Sequence, residues 1–121
     1  IMRKIQIHWN ENKEVSGHET ANFRVQNEWK KAGVYVIVVD GGIEYVGQTM
    51  NIQRRINDGY GNICPANFGI NGRRTNVAVN AKIVEARSNG KQVEIFFGEI
   101  ENREEIEKIM INQIHPAWNK I

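Results

Sequence analysis

The sequence predicts an α+β domain: a small central antiparallel β-sheet of about three strands flanked by helices, in the core order β-β-α-α-β-α. Three observations carry this. Apolar runs flank Asp40-Gly41-Gly42, the pattern of a hairpin. "TNVAVNAKIVEARSNG" and "NREEIEKIMINQIH" carry helix start and stop signals. Between them "KQVEIFFGEI" reads as a strand. At 121 residues the chain has the length of one domain.

The elements follow in order. Arg3–Trp9 alternates and reads as a short strand. Residues 10–20 are polar and read as a loop. "ANFRVQNEWKKA" fits a short helix with Phe23, Val25 and Trp29 inward. The hairpin strands span about 33–40 and 43–48. "TMNIQRRIND" starts a helix, with Thr49 and Asn51 both able to cap it. The glycine-rich stretch 57–72 reads as mostly loop. The next helix is expected to be capped by Thr75 and closed at Asn89-Gly90. Pro116 stops the last one.

Composition excludes several classes. Forty per cent hydrophobic and 25% charged residues are ordinary for a globular domain. Cys64 is the single cysteine, which rules out an intrachain disulfide or a multi-cysteine zinc site and suits a reducing compartment. No apolar run approaches a membrane span, and no signal peptide is visible. Net charge is +2, compatible with a nucleic-acid partner. The basic pairs Lys30-Lys31, Arg54-Arg55 and Arg73-Arg74 face an acidic run over Glu99–Glu107. The start at Ile1 leaves open a longer protein with further domains.

Three polar placements stand out. The last helix has an apolar stripe of Ile106, Ile109, Met110 and Ile114. Glu107 falls at its edge, whereas Glu104 and Glu105 face solvent. A carboxylate there needs a cation or a salt bridge. Ile52 and Ile56 mark the buried side of the helix after the hairpin. Arg55 lies beside that side, and Arg54 points away. An Arg55–Glu107 ion pair would leave the same trace. Tyr35 and Tyr45 share a sheet face only if the hairpin pairs in even register, for example Val39 opposite Ile43 across the three-residue loop Asp40-Gly41-Gly42. A two-residue loop, Gly41-Gly42, puts them on opposite faces. The sequence leaves both open.

These pieces resemble the GIY-YIG nuclease superfamily. "GVY" at 33–35, "YVG" at 45–47 and Arg55 ten residues after Tyr45 follow its signature. "EKIMINQIHPAWN" is similar to its glutamate-helix-Pro-x-x-Asn ending, with Glu107, Pro116 and Asn119. The resemblance covers about 33–119. It divides the chain into an N-terminal extension, 1–32, and a nuclease-like catalytic domain, 33–121.

The resemblance implies metal-dependent hydrolysis of a DNA phosphodiester. Glu107 would hold one divalent ion, Mg²⁺ or Mn²⁺. Arg55 would clamp the scissile phosphate. Tyr35 and Tyr45 would line the site, Tyr35 being the expected partner of the attacking water. Asn119 would hold the chain end and orient Glu107 or a tyrosine. Where many members carry His or Tyr one turn after the arginine, this chain has Gly59, and Tyr60 is the substitute at hand. Arg54, Arg73 and Arg74 are expected DNA contacts. The setting expected is cytoplasmic or otherwise intracellular, with DNA as partner and no membrane. The alternative is a non-catalytic nucleic-acid-binding or protein-interaction module that keeps the fold.

Overall fold

The structure, a computed structural model, describes residues 1–69 and 72–120. Its elements run β1 (Arg3–Lys4), β2 (His8–Val15), β3 (His18–Arg24), β4 (Gly33–Val39), β5 (Gly42–Thr49), α1 (Ile52–Arg55), α2 (Arg74–Ser88), β6 (Val93–Gly98) and α3 (Arg103–Ile114). The α+β class and the antiparallel sheet are as expected. The sheet has four strands rather than three, in the order β1-β6-β4-β5. Its added member is the short β1, paired with β6.

The first third of the chain departs most from expectation. Residues 10–20, read as a loop, lie within the β2–β3 hairpin, which forms a second, two-stranded sheet. β2 is polar and mostly exposed, so it shows no alternation to read. The helix expected over 21–32 is absent. Ala21, Phe23 and Val25 are buried at every second position, as a strand requires, and only a 3₁₀ turn at Asn27–Trp29 follows. Residues 1–32 are not a separate layer. Ile5, Ala21, Phe23, Val25 and Trp29 join Tyr35, Ile37, Ile83 and Phe97 in one core.

The hairpin solves the register question in a third way. Its loop is Asp40-Gly41, both residues at positive φ (47° and 82°), the pattern of a type I′ turn. This two-residue loop pairs Val39 with Gly42 in odd register. A bulge then slips the ladder by one, so that Ile37 faces Tyr45 and Tyr35 faces Gly47. The bulge restores even register, and both tyrosines emerge on one face.

α1 is capped by Asn51, whose side chain accepts the Arg54 N–H. It then widens into a π-helical turn, Ile56–Tyr60, within the stretch read as loop. Pro65–Phe68 forms a 3₁₀ turn there as well, and Ile70 and Asn71 lie outside the described residues. Thr75 does not cap α2; it sits inside the helix, which starts one residue earlier. α2 ends at Asn89-Gly90 as expected, with Gly90 at φ 75°. On α3, Ile106 and Met110 pack with Ile111 against Val34, Val36, Val38 and Val46. Ile109 and Ile114, assigned to the same stripe, are exposed because they lie off that contact face. Among the described residues no helix is long and apolar enough to cross a membrane.

Candidate active site

All three tyrosines of the chain meet in one cluster. Tyr35 and Tyr60 share a hydrogen bond of 2.7 Å between hydroxyls, and the Tyr60 hydroxyl reaches Tyr45 at 3.4 Å. The rings stand 6.0–6.2 Å apart. Gly47, opposite Tyr35, is required by this packing: a Cβ there would collide with the Tyr35 ring.

Tyr60 reaches the cluster through the π turn. The Gly61 N–H bonds back to the Ile56 carbonyl, five residues earlier. In that wider turn the residue stacked beneath Arg55 is five positions on, Tyr60, not four, Gly59. The Arg55 guanidinium accordingly lies 5.8 Å from the Tyr60 ring centroid. Arg55 is half-buried and Arg54 is exposed, as helix geometry requires. Arg54 pairs with Asp58 at 3.7 Å.

Glu107 stands on α3, half-buried. Its carboxylate is pushed above the ordinary glutamate value, first by burial; the Gln48 backbone N–H that it accepts, with Lys108 and Arg55, pulls the other way, and Glu104 adds to the rise. Arg55 and Glu107 do not form an ion pair with each other: among the described residues the ion pairs are Lys4–Glu94, Lys31–Glu99 and Arg54–Asp58. The charges of Arg55 and Glu107 nevertheless both act on the Tyr35 hydroxyl. A cation and an anion thus both act on the phenol cluster without forming an ion pair with each other.

Tyr35 is only 2% exposed. Its phenol is pushed well above its ordinary value, mainly by burial and then by Tyr45, with Glu107 adding to them against the Tyr60 bond and Arg55. Tyr60 is raised too, chiefly by burial. Both stay neutral at ordinary pH. Only Tyr45 is half-exposed and open to water.

Asn119 is anchored elsewhere than on Glu107 or a tyrosine. It donates to the Val46 carbonyl at 2.8 Å and accepts the Val46 N–H at 2.9 Å. It copies a neighbouring strand along the outer edge of β5. Asn119 positions the chain end, and through Val46 it braces the strand that carries Tyr45.

Beside this cluster opens a cleft of about 630 Å³. Arg54, Arg55, Arg73 and Arg103 line it, with Gln48, Gly59 and Asn76. Arg55 is the wall that cleft and cluster share. Glu107, the tyrosines and Arg74 are not part of the lining. Arg103 escaped the sequence reading, although it lies four residues before Glu107 and so on the same helix face. It donates to the Gln48 side chain at 3.0 Å. Asn76 escaped as well, since a polar residue inside a helix gives no signal of burial.

No family model matches the chain, and neither does any curated protein or solved structure.

Proposed function

We propose that this chain is a metal-dependent DNA endonuclease of the GIY-YIG kind, acting inside the cell. The observation that carries the reading is the half-buried Arg55 and Glu107, unpaired with each other and both acting on Tyr35 within three clustered tyrosines. A phosphodiester offers what this arrangement lacks, an anion to meet the arginine beside a group that binds cations.

Among the described residues no three His, Cys, Asp or Glu side chains gather into a metal cage. A single half-buried carboxylate without a cationic partner still fits a hard ion of the Mg²⁺ class, which keeps most of its waters. Glu107 would hold that ion, which when bound supplies charge to the leaving oxygen. Arg55 clamps the phosphate and stabilises the charge that builds on it. Tyr45, the phenol open to water, orients the attacking water. Tyr35 and Tyr60 hold Tyr45 in place as neutral hydrogen-bonding groups. Water adds to phosphorus and gives its proton to solvent at the Tyr45 side, while the P–O3′ bond breaks and the leaving 3′ oxygen takes a proton from solvent.

Supercoiled plasmid incubated with the protein tests this. Nicking with Mg²⁺ that stops with EDTA is the expected result. Plasmid bound but left intact in Mg²⁺ would assign the chain instead to a non-catalytic nucleic-acid-binding module.

A further inference from the structure

Two buried asparagines stand one turn apart on α2. Asn80, 1% exposed, is saturated: it accepts the Ala21 N–H and donates to the carbonyls of Ala21 and Tyr60. Asn76 is 2% exposed, and among the described residues its Nδ2 has no partner. A buried donor without an acceptor is costly and calls for an explanation. Asn76 lies in the wall of the arginine-lined cleft. Gly59 packs close beside it, and a Cβ there would stand 3.4 Å from Nδ2.

The start of α2 is unusual in a second way. This is a helix of 15 residues with no side-chain cap at Arg73 and no acidic residue in its first turn. Arg73 and Arg74 stand there instead, two cations at the positive end of the helix dipole. An uncapped helix start with cations around it is unfavourable alone and favourable around an anion.

We infer that the start of α2, with the Asn76 amide and Arg73, is a second phosphate subsite. It takes a backbone phosphate of the bound DNA strand next to the one clamped by Arg55. This rests on DNA as the substrate but not on cleavage. Arg55, Asn76 and Arg73 line the same cleft, so one strand can span both positions. Asp58 and Glu104 also line it, and Asp58 is held by Arg54.

The test uses the whole chain, ¹⁵N-labelled, in EDTA, titrated with a short DNA duplex. The Asn76 side-chain amide and the backbone amides of Thr75 and Asn76 are expected to shift and saturate together. Asn76→Ala should bind the duplex about tenfold more weakly with an unchanged salt slope, because a neutral donor is lost. Arg73→Ala should lower that slope by about one. A duplex that binds without moving the Asn76 signals overturns the proposal. So does an Asn76→Ala variant that binds as tightly as the parent. Inorganic phosphate moving the same signals as strongly at equal concentration would make the occupant a free anion and overturn the strand assignment. Should the alanine variant fail to fold, the titration of the parent chain still decides. Loss of nicking alone would sink the nuclease reading and leave these results intact.

Discussion

On one face of the sheet Tyr35, Ile37, Ile95 and Phe97 are each 2% exposed or less. On the other, α3 covers Val34, Val36 and Val46 but leaves its own Ile109 and Ile114 at 44% and 39%. The deep face receives the N-terminal hairpin, α1 and α2; the shallow face has α3 across it. The same burial that fixes the tyrosines keeps Tyr35 and Tyr60 protonated. The shallow face leaves Glu107 half-buried, in partial contact with water. Under the proposed function the deep face would set geometry and the shallow face would carry the charge.

The largest break in this contrast comes from the shallow side. Glu107→Ala should lower nicking by about a thousandfold, several kcal/mol of barrier, with little change in Tm. A variant nicking within about tenfold of the parent would remove Glu107 from the chemistry.

Arg55 bridges the two sides. Arg55→Ala should cost about a hundredfold in single-turnover rate and less in affinity. Arg55→Lys should restore little, since a point charge lacks the planar fork. Arg54→Ala should keep its turnover and lower the salt slope of binding by about one. The reverse pattern would place the wrong arginine in the site.

On the deep side the cost should fall on stability. Tyr60→Phe leaves the Tyr35 hydroxyl without its partner and should destabilise by about 1–3 kcal/mol. Tyr45→Phe, on the open side, should cost less. Denaturant melts of both variants compare them, and equal losses would show that burial does not separate these phenols.

The smallest effect concerns pH. Glu107 holds its proton more tightly folded than unfolded, so ionising it works against folding. That penalty is present above the raised value and vanishes as pH falls through it. Glu107→Gln should therefore melt slightly higher than the parent at neutral pH, and the gap should close on acidification. A gap that widens at low pH would mean that the carboxylate is stabilised in the fold.

What was legible in the sequence follows the same divide between regular and irregular backbone. From Gly33 onward, turn glycines, apolar runs and Pro116 punctuate each element, and the α+β class with its small antiparallel sheet follows from them. The inward turn of Arg55 was readable because one helical turn from Asn51 suffices to set it. The β2–β3 hairpin was not, because a strand exposed on both faces has the composition of a loop. The shared face of the tyrosines was not either, because it depends on a bulge that no residue type announces. Tyr60 could be named as a substitute at Gly59, but its path inward needed the π turn. That Tyr45 is the more exposed of the two strand phenols required knowing how deep Tyr35 lies.

The outer edge of β5 has one more consequence. An edge strand with free N–H and C=O groups is a template on which another strand can grow. Here Asn119 occupies both groups of Val46. The chain end therefore acts as a blunt cap on this edge, and removing the Asn119 amide would open the strand beside Tyr45 to pairing with another chain.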